Sequence, residues 1–232
     1  TYQWQRSDDG GNSWTGVSGA TSSTYVTPNL VYANDNGDKY RCEVNAVGAA
    51  SPVYSNVVTL TVQRTFTITS QPANTTGNED STSTFSVSVT ASSGTPTYQW
   101  ERSDDGGANY APVGGATSAT YVTPTLVYAN DNDDRYRCVV SLVGSAGDST
   151  STFAVLTVLR VITITQQPVD LGVIEGNQGT LTIAASITSD VVSYQWNLSV
   201  DDGSTFSPIN GANSPSYTTP VTVYPTTPSH KY

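Results

Sequence analysis

Apolar and polar side chains alternate with a period of two through several short stretches of the chain. In residues 84–89, Phe85, Val87 and Val89 alternate with Thr and Ser. Successive side chains of a β-strand point to opposite faces, so this alternation predicts a strand with one buried and one solvated face. The same pattern recurs 96 residues later, at Leu181, Ile183 and Ala185. We therefore predict an all-β chain whose core these residues face.

Turn-forming residues separate the predicted strands. An opening strand over residues 66–69 ends at Pro72, since proline cannot donate to a central ladder. A strand over residues 97–102 leads into residues 103–107, where Asp and Gly tolerate the positive φ angles of tight hairpins. A strand over residues 153–158 closes the unit.

A fixed period of 96 residues organises the whole chain. The triplet Tyr-Gln-Trp occurs at residues 2–4, 98–100 and 194–196, and Tyr-Arg-Cys at 40–42 and 136–138. Such self-similarity indicates one structural unit per period. The predicted domains are an N-terminally incomplete repeat, a complete repeat and a C-terminally incomplete repeat, over residues 1–63, 64–159 and 160–232. Because half a sandwich cannot bury its inner face, we expect an excerpt from a longer polypeptide.

A buried tryptophan on one strand and a Tyr-x-Cys on a later strand are marks of an immunoglobulin-like sandwich of about 100 residues. The junctions at residues 62–65 and 158–161 contain no Gly or Pro, unlike flexible linkers. The predicted fold is thus all-β, with tandem immunoglobulin-like β-sandwiches arranged as a semi-rigid rod. The residues assigned structural roles are three core tryptophans and three corner tyrosines: Trp4, Trp100, Trp196, Tyr40, Tyr136 and Tyr232.

The two cysteines are not expected to form a disulfide. Antibody-type domains pair the Tyr-x-Cys cysteine with one on an earlier strand, but that place holds Val87 in the second repeat and Ile183 in the third. Cys42 and Cys138 belong to separate repeats, too far apart to join. We predict buried free thiols that act as small hydrophobes.

Charge excludes one class of partner. The 232-residue chain carries a net charge of −10, and an acidic chain repels phosphate backbones, so we expect no nucleic-acid partner. No run of 18 apolar residues occurs, so no membrane span is expected in this window.

An acidic corner before each Tyr-x-Cys is the one candidate metal site, because calcium prefers oxygen ligands. The candidate calcium ligands are Asp35, Asp38, Asp131, Asp133 and Asp134. The alternative is a turn in which Gly37 or Asp133 is left-handed and Asp side chains accept from backbone amides. The third repeat lacks these carboxylates, which argues against an obligatory site. No other cofactor is expected.

Catalytic chemistry has little support. The single histidine, His230, lies where the other repeats have Asp, and no nucleophile–base pairing repeats. We therefore predict a protein that is not an enzyme. An aromatic side chain recurs after the hairpin turn and is interpreted as packing, with a ligand platform as the alternative: Trp14, Tyr110 and Phe206. Two glycosylation triplets, at Asn74 and Asn197, also fit chance occurrence in a Ser/Thr-rich chain.

The run of Tyr-Gln-Trp, Asp-Gly-Gly, Gly-Ala-Thr-Ser and Tyr-Arg-Cys, at residues 98–100, 105–107, 115–118 and 136–138, resembles a known class. It is similar to immunoglobulin-like repeats of bacterial surface proteins and of tailed-phage virion proteins, particularly those of marine phages. The resemblance covers essentially the whole chain and implies a virion or cell-surface location.

The resemblance also implies a function and partners. The leading hypothesis is a non-enzymatic structural and adhesive protein, a fibre or appendage of a tailed-phage virion that contacts host-surface glycans. The alternatives are a bacterial adhesin or extracellular filament, and an accessory binding module of a secreted enzyme. Expected partners are further copies of the repeat, other fibre subunits and cell-surface carbohydrate. Exposed turns such as residues 104–107 are where a glycan contact is expected, since loops carry most binding residues.

Overall fold

A computed structural model describes residues 1–221 of the chain. These residues form 21 short strands and two single-turn helices, and the prediction of an all-β chain of tandem immunoglobulin-like sandwiches is confirmed. The chain folds into two compact units. The first contains Thr1–Ala73, Thr84–Tyr121 and Arg135–Val155; the second contains Asn74–Ser83, Val122–Asp134 and the described chain from Leu156 onwards.

The first repeat contributes one antiparallel sheet. Its elements are β1 (Tyr2–Ser7), β2 (Thr15–Gly16), α1 (Tyr32–Asp35), β3 (Lys39–Val44), β4 (Val53–Tyr54) and β5 (Val58–Thr59). Strand β1 lies between β2 and β3, and β3 also pairs with β4 and β5. The register places Trp4 directly opposite Cys42. The two repeated motifs are therefore neighbours across one ladder.

The second repeat contains both halves of a sandwich. Its elements are β6 (Phe66–Ser70), β7 (Thr75–Asn78), β8 (Thr84–Ser86), β9 (Ser88–Ala91), β10 (Thr97–Ser103), β11 (Ala111–Pro112), β12 (Thr120–Val122), α2 (Tyr128–Asp131), β13 (Arg135–Ser141), β14 (Ser149–Thr150) and β15 (Ala154–Leu159).

Pairing in the second repeat follows that of the first. Strand β10 pairs with β11 and β13, with Trp100 opposite Cys138, and β13 also pairs with β14. The start of β15 pairs with β13, and its continuation from Leu156 runs parallel to β7. Two further antiparallel pairs, β6 with β9 and β8 with β12, supply the strands that the first repeat does not show.

Aromatic rings fill the core between β8 and β10. Trp100 is fully buried, and Phe85 and Tyr136 are nearly so. Phe85 stacks on Tyr136 with ring centroids 4.7 Å apart, and Tyr121 lies 6.2 Å from Trp100. The predicted inward side of the alternating stretch is confirmed, because Val87 is also buried and Val89 is half-buried.

The third repeat begins a second copy of the same plan. Its described strands are β16 (Ile162–Gln166), β17 (Thr180–Thr182), β18 (Ala184–Ile187), β19 (Asn197–Leu198), β20 (Ser207–Pro208) and β21 (Ser216–Thr218). They pair as β16 with β18, β17 with β21 and β19 with β20. Leu181, Trp196 and Ala212 form its small buried core. The corner residue Tyr232 lies outside the described residues.

One local prediction is wrong. The run Leu-Val-Tyr at residues 126–128 predicts a short extended piece, but Tyr128 begins the single-turn helix α2. The carboxylate of Asp131 accepts the backbone N–H of Val127 at 2.7 Å, and the N–H of Asn132 bonds to the Tyr128 carbonyl at 3.2 Å. The side-chain bond satisfies an amide at the helix start that the helix itself leaves without a partner. Helix α1 repeats this arrangement, with Asp35 accepting from Val31 at 2.6 Å.

Candidate functional site

The repeated tryptophan is held by the same hydrogen bond in all three repeats. Its indole N–H donates to a serine carbonyl 18 residues later, at 3.0, 2.9 and 2.9 Å. The preceding glutamine donates to two backbone carbonyls, for example from Gln99 to Trp100 and Val113, both at 2.8 Å. The polar atoms of these side chains therefore bond to the protein's own backbone.

The hairpin turn over residues 103–107 is built around Asp105. Its carboxylate accepts the Ser103 hydroxyl at 2.7 Å and the Asn109 backbone N–H at 2.9 Å. The Ser103 hydroxyl in turn accepts the Gly107 N–H at 2.8 Å. The bond from Asn109 and the bond from Ser103 lower the pKa of Asp105 below its ordinary value. Gly106 and Gly107 have the positive φ angles, 73° and 93°, that the sequence predicted for this turn.

The first and third repeats have the same turn. The pKa of Asp9 is lowered by the hydroxyl and the backbone N–H of Ser13. Two bonds from Thr205 lower the pKa of Asp201 to about 2. Asp8 and Asp104 precede the bonded aspartates Asp9 and Asp105 in sequence, and all four side chains are exposed. In the third repeat the position equivalent to Asp8 and Asp104 is occupied by Val200.

Arginines cover the aromatic side chains next to these turns. The Arg41 guanidinium lies 4.3 Å from the ring centroid of Trp14 and 4.2 Å from that of Tyr54. Arg137 lies 3.8 Å from the Tyr110 ring. An arginine at this distance is attracted to the face of the ring. This geometry favours the packing interpretation in the first two repeats, whereas Phe206 is 53% exposed.

The carboxylates of the first acidic corner are bonded within the protein. Asp38 is 4% exposed and forms an ion pair with Arg6. Asp35 lies 3.5 Å from a second nitrogen of the same guanidinium and caps α1. Gly37, between them in sequence, has a φ of 96°. These contacts match the turn interpretation of this corner.

The second corner is arranged similarly. Asp131 accepts from the backbone at Val127, and Asp133 takes the left-handed conformation, with φ of 70°. Asn132 donates to Asp133 at 3.0 Å, and Asp134 is 2% exposed. Throughout residues 1–221, no group of three or more His, Cys, Asp or Glu side chains could hold a metal ion. Calcium binding at these two corners stays a prediction.

The corner tyrosines Tyr40 and Tyr136 are both buried. Tyr40 is 8% exposed and packs 5.9 Å from the Tyr25 ring; Tyr136 lies 5.6 Å from the Tyr121 ring. Cys42 and Cys138 are buried and free, as the sequence predicted. Burial raises the pKa of the Cys138 thiol to about 11, so its reactive thiolate is scarce at neutral pH.

The two glycosylation triplets differ in accessibility. Asn74 is exposed at the start of β7. In the triplet beginning at Asn197, Ser199 is fully buried and donates to Asp201 at 2.7 Å. No helix within residues 1–221 has the length and apolar character needed to span a membrane.

Arg64 and Arg160 make several polar contacts at the junctions between repeats. From the sequence, neither arginine is assigned a role. Arg64 stacks on Tyr32 and donates to Ser93; Arg160 stacks on Tyr128 and donates to Ser189. All three residue types recur with the 96-residue period. That recurrence was the available signal, but it does not show which side chains meet.

Comparison with known proteins gives one family match. A family model described as "Domain of unknown function (DUF8696)" matches residues 1–64 and 67–160. No curated protein matches the chain.

Solved immunoglobulin-domain structures are also similar at low identity. Sidekick-1 immunoglobulin domains 1–5 match with 16% identity and a TM-score of 0.41, over 89% of this chain and 42% of that one. The four N-terminal immunoglobulin domains of Dscam1 isoform 6.44 match with 16% identity and a TM-score of 0.35, over 96% of this chain and 58% of that one. Drosophila OTK extracellular domains 3–5 match with 14% identity and a TM-score of 0.33, over 88% and 69%. This chain thus spans less than half of the Sidekick-1 chain.

Proposed function

Since the chain belongs to the family described as "Domain of unknown function (DUF8696)", a description that assigns no activity, we propose a function from the fold and surface chemistry. The chain is a non-enzymatic structural and adhesive repeat protein. It forms a semi-rigid fibre or appendage on the virion of a tailed phage and contacts glycans of the host surface. Its partners are further copies of the repeat and other fibre subunits.

The structural role is supported by side-chain hydrogen bonds that recur at equivalent positions in the three repeats. The indole bond, the glutamine bonds and the aspartate-centred turn are repeated at 96-residue intervals in the three repeats. Groups that are used to hold one turn in every repeat are not free to act on a substrate. Exposed turns carry most binding residues on such a scaffold. The first two repeats have the same exposed aspartate in this turn, Asp8 or Asp104, whereas the third has Val200.

The glycan contact is proposed at the exposed aspartates of the hairpin turns. Asp8 and Asp104 extend from turns whose backbones are fixed by Asp9 and Asp105. A rigid turn loses little conformational entropy on binding, which favours a weak multivalent contact along a repeated chain. Carboxylates are acceptors for sugar hydroxyls.

Imaging of particles tests the location. Gold-labelled antibodies raised against the chain should decorate an appendage of phage particles that have a capsid and a tail. Decoration of cell-wall filaments that lack a capsid or tail would instead identify the bacterial filament or adhesin. Secretion of the antigen as part of one polypeptide with a polysaccharide-degrading enzyme would identify the accessory binding module.

Binding to immobilised host polysaccharide tests the glycan contact. The double variant Asp8→Ala with Asp104→Ala should bind less than the wild-type chain. The double variant Asp148→Ala with Asp170→Ala is the matched control, because it also removes two exposed loop aspartates but leaves the turns at residues 7–11 and 103–107 intact. Equal losses in both variants would point to a general charge effect and contradict the proposed site.

A further inference from the structure

Each junction between repeats contains the same three side chains. We define the first junction cluster as Tyr32, Arg64 and Ser93, and the second as Tyr128, Arg160 and Ser189; corresponding members lie 96 residues apart. The first cluster lies wholly within the first compact unit and the second within the second unit.

The arginine of each cluster stacks on a tyrosine of the preceding repeat. The guanidinium carbon lies 4.0 Å from the Tyr32 ring centroid at the first junction and 3.9 Å from the Tyr128 ring at the second. Each tyrosine begins a single-turn helix, α1 or α2, and is therefore held in place by the aspartate-bonded corner. A guanidinium at this distance is attracted electrostatically to the face of the tyrosine ring.

The same arginine also donates hydrogen bonds within its own repeat. Its Nε donates to the serine hydroxyl at 3.2 Å in both clusters. The terminal nitrogens then differ: Arg64 donates to the Val143 carbonyl at 2.9 Å, and Arg160 to the Asp190 carboxylate at 2.5 Å. In the first junction the position of Asp190 is occupied by Gly94. A Cβ at Gly94 would lie 3.1 Å from the Arg64 guanidinium, so this glycine gives the arginine room.

Glu79 adds a second link at the second junction. It is 6% exposed, and one carboxylate oxygen accepts the Tyr128 backbone N–H at 3.0 Å. The other oxygen accepts the Ser189 hydroxyl at 2.9 Å and also the Thr188 hydroxyl. Hydrogen bonds, that from Thr188 above all, lower the pKa of Glu79. One carboxylate thus connects the helix of the second repeat to the loop of the third.

We infer that these clusters are a repeat-to-repeat docking site whose partner is the next copy of the same repeat. The arginine and the Ser/Thr loop of one repeat together hold the tyrosine of the preceding repeat, and so select a neighbour that presents that ring. Bonds of fixed geometry from one guanidinium define the junction more tightly than its short connecting segment alone. The inference concerns the junctions only and does not depend on which particle carries the chain.

Distance measurements between spin labels in the full chain test the inference. Thr125 and Asn213 are exposed, one in the second repeat and one in the third; both lie in the second compact unit, and neither belongs to a junction cluster. Labels on Thr125→Cys and Asn213→Cys should be selective because both native cysteines are buried. The wild-type chain should give one narrow distance distribution by pulsed electron paramagnetic resonance.

Removing members of the second cluster should broaden that distribution. We expect roughly twofold broadening in Arg160→Ala and in Tyr128→Ala, since interdomain motion is the default without a specific interface. Tyr128→Phe keeps the ring face and should stay narrow. Arg137→Ala is the matched control, because Arg137 also stacks on a tyrosine and pairs with a carboxylate, but within a single repeat.

Ser189→Ala keeps the test decisive if another variant fails to fold, because it removes only the hydroxyl between Arg160 and Glu79. It should broaden the distribution less than Arg160→Ala. Near-ultraviolet circular dichroism identifies the folded variants. Narrow wild-type-like distributions in folded Arg160→Ala, Tyr128→Ala and Ser189→Ala would overturn the docking site, as would equal broadening in Arg137→Ala.

Discussion

The first and second repeats have the same sheet but different burial. In both, the tryptophan strand pairs with the Tyr-Arg-Cys strand in identical register. Yet Leu30 is 38% exposed and its equivalent Leu126 only 1%, while Val58 is 56% exposed and its equivalent Ala154 is fully buried. In the second repeat, Leu126 packs against Gly77 of β7, and Phe85 of β8 stacks on Tyr136. Pairing and turns are thus properties of one sheet, whereas burial requires the facing strands.

Removal of Phe85, the main side chain that β8 contributes to the core, should have the largest effect on stability. Phe85→Ala deletes a ring that is 1% exposed and stacks on Tyr136. We therefore expect the free energy of unfolding of the second repeat to fall by about 3–5 kcal/mol. The first repeat, whose rings pack without this residue, should be unaffected. Hydrogen exchange at increasing urea, read by mass spectrometry on peptides that contain Trp4 or Trp100, separates the two repeats.

Phe153→Ala is the control for that measurement. Phe153 is 47% exposed and lies under Arg135, with the guanidinium 4.6 Å from the ring centroid. Its loss should cost less than about 1.5 kcal/mol. A cost for Phe85→Ala no greater than that of the control would contradict the assignment of Phe85 to the core.

Equivalent leucines provide the direct comparison between the two repeats. Leu126 packs so closely on β7 that a Cβ at Gly77 would lie 2.6 Å from its methyl group. We expect Leu126→Ala to cost about 2–5 kcal/mol, because a buried leucine leaves a cavity. Leu30→Ala should cost about 1 kcal/mol or less, because much of that side chain already meets water. The same exchange measurement applies, and equal costs would mean that the exposure difference has no energetic consequence.

Residue type and alternation predicted part of the structure, whereas features that depend on specific side-chain contacts were missed. Alternation located Phe85 and Val87 on the core side, and the residue types at Gly37 and Asp133 predicted their left-handed backbone. Helix α2 was missed because a side-chain bond from Asp131, rather than helix propensity, holds its first turn.

The junction contacts were missed for a different reason. Arg64 meets Tyr32 and Ser93, each about 30 residues away on opposite sides in sequence. A period of 96 residues shows that a residue recurs, but it gives no information on which recurring residues touch.

The hairpin turns should behave alike in the two repeats despite their different cores. The pKa values of Asp9 and Asp105 are both lowered by bonds from neighbouring residues. A carboxyl with a lowered folded-state pKa stabilises fully above its unfolded pKa of about 4, and that stability is lost as the pH falls through the folded value. Asp9→Ala and Asp105→Ala should therefore each lower the urea midpoint of their own repeat at pH 7, and the deficit should shrink below about pH 4.

Exposed Asp148 is the control for this pH series, and Asp148→Ala should leave the midpoints unchanged at every pH. A lowered urea midpoint in only one of the two turn variants would contradict the expectation that the turns behave alike. A deficit that grows as the pH falls would contradict it as well.

The smallest expected effect concerns calcium at the two acidic corners. A bound ion at 100 times its dissociation constant would stabilise its repeat by about 2.7 kcal/mol. Since Asp38 is paired with Arg6, and Asp35 and Asp131 bond to backbone amides, we expect no shift in melting temperature when calcium is added. Asp133→Gly makes the second corner like the first, where Gly37 has the same left-handed backbone, and should raise stability by less than about 1 kcal/mol. A calcium-dependent rise in the wild-type chain that disappears in Asp133→Gly would place an ion at the second corner and show that the two corners differ in function as well as in sequence.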